Sequence, residues 1–159
     1  MTLAIVGLSA NAFQAELGME LAVSPTAIIL GETGTPKAES GLIPWEGYAG
    51  GDVTLEFDIS AEALVTTGNI KLDVAFRKVT SRVAPFSTAE YATAKSITIA
   101  RGATPANLQD PKPTLTFTAS EIDGLVAGNR GQLLILRDNT VSSNATGIGY
   151  LHNILIKEV

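Results

Sequence analysis

The residues best suited to chemistry lie in a short aromatic stretch, Pro44-Trp45-Glu46-Gly47-Tyr48, just ahead of Gly50-Gly51. Two aromatic side chains on a glycine-flanked loop can stack on a sugar ring. They can equally seal the end of a domain or a subunit contact, where aromatic residues are also enriched. Trp45 and Tyr48 are therefore the candidate ligand or interface aromatics. Other constellations point away from catalysis. Glu56 and Asp58 are two apart on what reads as one strand face, which is ordinary solvent-side patterning rather than a pair flanking a cleft. His152 is the single histidine, set among apolar neighbours in a strand, and no serine or threonine is placed beside a second base. Asp138, Asn139, Ser142 and Asn144 offer oxygens to a hard cation but lack any calcium-loop spacing. The sequence thus predicts no catalytic residues, no metal site and no cofactor. No glycine loop precedes a helix in a way that would cradle phosphate.

The elements that must hold these residues show a period of two. From Asp52 to Ser60, Val53, Leu55, Phe57 and Ile59 alternate with Asp52, Thr54, Glu56 and Asp58, the pattern of a half-buried antiparallel strand. Asn69–Val79 repeats it, with Ile70, Leu72, Val74 and Phe76 inward and Lys71, Asp73 and Arg77 outward or at the edge. Lys95–Arg101 and Thr114–Thr118 add two shorter strands. Gln132–Arg137 contains Leu133-Leu134-Ile135-Leu136, a run that fits a strand covered on both faces. Gly149–Val159 closes the chain, with Tyr150, His152, Ile154 and Ile156 expected on one face. Turn residues separate these runs, and Pro105, Pro111 and Pro113 exclude a central strand between residues 103 and 113. Ser120 reads as the cap of a single helical turn ended by Gly124, and Ser60–Leu64 as another. Asp138 reads as a turn opener, and Arg137 as a strand-ending cation pairing with a carboxylate across the sheet edge. The prediction is an all-β, antiparallel sandwich.

Composition agrees with a folded domain. The chain has 159 residues, of which 45% are hydrophobic and 17% charged, and it contains no cysteine. A domain of this length buries roughly 70% of its extended-chain surface and needs no disulfide or metal staple. The net charge of -5 and the scattering of eleven basic residues exclude a phosphate-binding surface, so no nucleic-acid partner is expected. Arg77, Lys78 and Arg82 form the tightest basic group and read as a solvated strand end. No run reaches the ~20 apolar residues of a membrane helix. The N-terminus lacks the basic stretch of a signal peptide, so assembly in the cytoplasm is expected. Residues 1–40 differ from the rest in having few basic residues. They read as an N-terminal arm or the first strands of the sandwich, with residues 41–159 as the sandwich domain.

From Leu115 onward the chain reads LTFTASEIDGLVAGNRGQLLILRDNTVSSNATGIGYLHNILIKEV. This segment resembles the closing part of small structural proteins of tailed-bacteriophage virions. The shared pattern is an alternating strand, a short Ala/Ser turn, a Gly-rich bend, a Leu-rich strand ending in Arg-Asp, a polar loop and a Gly-started last strand. An acidic residue usual after the polar loop is replaced here by Thr146-Gly147-Ile148-Gly149. The resemblance implies a jelly roll and a non-enzymatic capsid decoration (cement) protein on the virion surface. It implies as partners the major capsid protein and copies of the chain itself, as a homotrimer. Under that reading Leu3, Ile5, Val6, Leu8 and Phe13 are the expected capsid or subunit contacts. The alternative is a carbohydrate-binding or adhesin module of a tail or fibre, carried by Trp45 and Tyr48.

Overall fold

The computed structural model describes residues 3–9, 13–15, 27–31, 35–61, 68–80, 90–100, 108, 111–140 and 147–159. Its strands are β1 (Leu3–Ser9), β2 (Phe13–Ala15), β3 (Ile28–Leu30), β4 (Lys37–Ser40), β5 (Ile43–Pro44), β6 (Val53–Ala61), β7 (Asn69–Lys78), β8 (Lys95–Ala100), β9 (Thr114–Phe117), β10 (Arg130–Arg137) and β11 (Gly149–Glu158). Among the described residues they form two antiparallel sheets. The first runs β1-β11-β6-β9, with β3 also on β11. The second runs β2-β4-β10-β7-β8, with β5 also on β10. Most successive strands cross between the sheets, so that β1 lies beside β11, β4 beside β10 and β6 beside β9, while β7 and β8 stay together in the second sheet. That nested order is a jelly roll.

Strands from residues 1–40 pair with strands from residues 41–159. β1 runs antiparallel along β11 from Leu3↔Glu158 to Ser9↔Asn153. β2 pairs with β4, which pairs with β10.

The alternating residues place the core between the sheets. Val53, Leu55, Phe57 and Ile59 of β6 meet Ile70, Leu72, Val74 and Phe76 of β7, all buried. Leu115, Phe117, Leu133, Ile135, Leu151, Ile154 and Ile156 complete the same cluster. Burying each such side chain contributes about 1.5–3 kcal/mol.

The last strand departs from simple alternation. Leu151 pairs with Ile59, but Asn153 pairs with Asp58, so His152 is the extra residue of a bulge. The bulge puts Leu151 on the inner face with Ile154 and Ile156, while Tyr150, His152 and Leu155 are only half-buried. The expected face of Tyr150, His152, Ile154 and Ile156 is therefore split in two. His152 Nε2 lies 2.9 Å from Ser60 Oγ.

Two local expectations are also revised. The short helical turn is a 3-10 turn at Ala119–Glu121, capped from Thr118 rather than Ser120. Its Glu121 carboxylate accepts from the Thr118 N–H at 2.8 Å. Arg137 is fully buried, and its Nη1 donates to the carbonyls of Leu30 (2.6 Å) and Gly147 (2.9 Å). It thus ties β10 of one sheet to β3 of the other. Next to it, Asp138 Oδ2 is 2.8 Å from Lys71 Nζ. Asp138 Oδ1 accepts from the Thr140 N–H and closes the expected turn. The second expected helical turn lies mostly outside the described residues, with Ser60 and Ala61 belonging to β6.

Candidate functional site

Trp45 is buried, with no measurable exposure, and Tyr48 retains 5%. Trp45 packs edge-to-face on Tyr48 and on Phe76, at centroid distances of 5.1 and 5.6 Å, and Phe76 packs in the same way on Phe117 at 5.0 Å. The loop is pinned by backbone bonds from the Trp45 N–H to the Asn129 carbonyl and from the Gly128 N–H to the Trp45 carbonyl. Glu158 of β11 accepts from the Ala49 and Gly51 N–H groups, and Tyr48 Oη donates to the Gly51 carbonyl at 2.6 Å. Gly131 of β10 is obligatory beneath the indole, because a Cβ there would stand 2.5 Å from Trp45 Nε1. Trp45 and Tyr48 therefore close one end of the sandwich. Neither presents a ring face for stacking.

The other sequence candidates are also accounted for. Leu3, Ile5, Val6 and Leu8 lie in β1, with Ile5 at a register shift against β11. Phe13 opens β2 opposite Ser40. The described structure specifies the backbone pairing of these five residues and not their side chains. Glu56 is paired with Lys157, and Asp58 with Lys112 at 2.6 Å and with Asn153. Those partnerships hold both as strand-face ion pairs. Asp58 is held below the usual carboxylate range by hydrogen bonds from Lys112 and Asn153, which outweigh its desolvation. Asn139 Nδ2 donates to the Gly31 carbonyl at 3.1 Å. Ser142 and Asn144 of the oxygen-rich loop lie outside the described residues. Among the described residues no three His, Cys, Asp or Glu side chains converge.

The site that sequence reasoning missed is on the outer face of the second sheet. Alternation sends Asp73, Ala75 and Arg77 of β7 outward, and β10 places Leu136, Leu134 and Gln132 directly beside them. Glu39 of β4 stands next to Leu134. The chain from Glu90 to Ala94 passes over this face, anchored by the Ala92 N–H on the Phe76 carbonyl at 2.9 Å. Between this segment and the sheet lies a cavity of about 290 Å³ lined by Asp73, Ala75, Tyr91, Ala92, Thr93, Ala94, Leu134 and Leu136.

One wall of the cavity is locked by a buried polar network. Arg77, read from sequence as a solvated strand end, is only 3% exposed. Its Nη2 lies 2.6 Å from Glu39 Oε1, and its Nε donates to Gln132 Oε1 at 2.8 Å. Glu90 lies 3.4 Å from Nη1. The Arg77 guanidinium also sits 4.8 Å from the centroid of the Tyr91 ring, and the Tyr91 hydroxyl donates to Glu39. Burial, followed by the Glu39 carboxylate, pushes the Tyr91 hydroxyl well above its ordinary pKa, so it remains a neutral donor. A phenol so held cannot swing freely, which makes its ring a preorganised wall. The floor of Ala75, Leu134 and Leu136 is apolar.

Asp73 supplies the opposite, polar side. Its Oδ1 accepts from Ser96 Oγ at 2.5 Å and lies 3.7 Å from Lys71 Nζ. The arrangement is an apolar floor and an aromatic wall with a carboxylate acceptor at the rim. It can hold a small molecule that has both an apolar face and hydroxyl donors.

No protein-family model and no curated protein sequence matches this chain. Solved structures do. A carbohydrate-binding module specific for non-crystalline cellulose superposes with a TM-score of 0.50 at 15% identity, over 91% of this chain and 86% of that one. A glycoside hydrolase family 43 arabinoxylan arabinofuranohydrolase from Bacillus subtilis gives 0.52 at 7% identity, over 97% of this chain but 27% of the enzyme. A family GH115 4-O-methyl-alpha-glucuronidase with specificity for decorated arabinogalactans gives 0.48 at 13% identity, over 98% of this chain and 18% of the enzyme. This chain thus spans most of the binding module and only a fraction of either enzyme. The likenesses to the binding module and to the arabinofuranohydrolase agree with the fold class, a β-sandwich of two antiparallel sheets.

Proposed function

We propose that this domain is a non-catalytic carbohydrate-binding module, with its ligand in the cavity over Ala75, Leu134 and Leu136 beside Tyr91. The observation that carries the reading is the cavity itself. A pyranose ring has an apolar C–H face and a rim of hydroxyls, which match an apolar floor with an aromatic wall and an acceptor at the edge. The fold shared with a cellulose-specific module supports this choice and names amorphous β-glucan as a first ligand to try. The virion-shell role implied by the sequence resemblance draws less support. β1, expected as an arm or a first strand, is paired within the first sheet, and the matched structures include a sugar-binding module and a glycoside hydrolase.

The test is affinity electrophoresis and calorimetry of the full chain on hydroxyethylcellulose, arabinoxylan and galactomannan. The expected result is binding to at least one polymer, weakened at least tenfold by Tyr91→Ala in a protein that still unfolds cooperatively. Binding that survives Tyr91→Ala unchanged places the ligand elsewhere. No binding to any of the polymers overturns the reading.

A further inference from the structure

We infer that Asp73 makes the cavity selective for an uncharged pyranose unit and rejects the corresponding uronate. The inference rests on the carbohydrate reading above and adds the ligand's charge class. Among the described residues that line the cavity, Asp73 carries the one ionisable acid or base other than the Tyr91 phenol. The phenol is committed to Glu39. Glu39 and Arg77 neutralise each other behind the Tyr91 ring, at 2.6 Å.

Lys71 Nζ is shared between two carboxylates, 2.8 Å from Asp138 and 3.7 Å from Asp73, so its shorter contact is with Asp138. Lys37 stands beside Leu136 in register but does not line the cavity. Asp73 is thus an anion at the rim of an apolar chamber. One of its oxygens is engaged by Ser96, and the other, Oδ2, has no partner among the described residues. Such a carboxylate accepts strong hydrogen bonds from sugar hydroxyls, because bonds to a charged acceptor are about twice as strong as neutral ones. The same charge repels a ligand carboxylate brought to within a few ångströms, and the apolar floor screens that repulsion poorly. Ser96, held across the β7–β8 pairing opposite Asp73, fixes the direction of the carboxylate.

The experiment uses three hexamers with the same linkage at pH 6 and low salt: cellohexaose, its C6-oxidised uronate and the hexamer of glucosamine. Calorimetry on the full chain should show cellohexaose binding and the uronate at least tenfold weaker. The protonated glucosamine hexamer should bind at least as tightly as cellohexaose. Asp73→Asn, at a half-buried position on the outer face of β7 that leaves the core untouched, should bring the uronate to within about twofold of cellohexaose. Raising the salt to 0.5 M should narrow the wild-type gap without any substitution.

A uronate that binds wild type as well as cellohexaose overturns the inference. So does a tenfold gap that persists in Asp73→Asn. Failure of all three hexamers while one of the polymers above binds overturns the selectivity and leaves the carbohydrate reading standing. Failure of every polymer and hexamer removes both.

Discussion

Trp45 and Tyr91 are both aromatic residues outside the strands, yet one closes the molecule and the other walls an opening. Trp45 is drawn into the core because β5 leads it across Gly131, a position with no side chain, and because Phe76 and Tyr48 receive its edges. Tyr91 lies on the opposite side of the same sheet. It is held there by a hydroxyl bond to Glu39 and by the Arg77 guanidinium against its ring. The first environment is apolar and closed, and leaves the indole N–H buried with no hydrogen-bond partner among the described residues. The second is polar behind the ring and partly open in front of it. An aromatic residue therefore becomes a seal or a platform according to what waits behind it, and the loop composition around it does not decide.

The largest test of this contrast is Trp45→Ala. Removing a fully buried indole should cost about 3–5 kcal/mol, read as a lower urea midpoint at unchanged slope. The protein that remains folded should retain its sugar affinity, because the cavity does not include Trp45. A selective loss of affinity would erase the distinction between seal and platform.

Glu39→Ala strikes the other region. It leaves the Arg77 charge buried without its nearest carboxylate and removes the acceptor of the Tyr91 hydroxyl. Breaking one side of such a pair should cost about 3 kcal/mol. Unlike Trp45→Ala, it should also weaken ligand binding in the folded fraction, because the Tyr91 ring loses its anchor.

Tyr91→Phe sharpens the point with a smaller change. It keeps the ring over Arg77 and removes the bond to Glu39, which should cost about 1 kcal/mol. Affinity should fall by less than in Tyr91→Ala. Equal losses in the two variants would mean that the hydroxyl, and not the ring, carries the wall.

The smallest expected effect concerns acid. Hydrogen bonds from Lys71 and Thr140 hold the Asp138 carboxyl well below its usual range, at about 2. The folded state thus favours the ionised form more than the unfolded chain does. That contribution is complete above about pH 4 and is lost as pH falls through 2. Lys71→Gln removes the leading cause, so the fall of Tm between pH 4 and 2 should become shallower. The pair is partly exposed, so added salt should shrink the difference between wild type and variant. An identical acid profile for the two proteins would show that Lys71 does not hold Asp138.

Much of the scaffold is readable from residue order. The alternation in Val53–Ile59 and Ile70–Phe76 names the inner residues, since side chains on a strand have no choice but to alternate. The dense run Leu133–Leu136 announces cover on both faces, and Leu134 and Leu136 do line the cavity on the outer one. What covers them is not readable. The partners of Arg77 are Glu39, 38 positions upstream, and Gln132, 55 downstream. Nothing local links those residues. The bulge at His152 is likewise silent, because an extra residue in a strand is defined only by its neighbour's register.

By itself, then, the sequence determined a cysteine-free, acidic, all-β chain with its inward faces marked, because a period of two and turn residues act over a few positions. The tertiary structure alone decided that Leu3–Ser9, Phe13–Ala15 and Ile28–Leu30 pair as strands of the sandwich, that Trp45 is a plug, and that Arg77 is buried beside Tyr91. Those outcomes depend on which strands become neighbours. In a jelly roll the neighbours come from opposite ends of the chain, where no local pattern reaches.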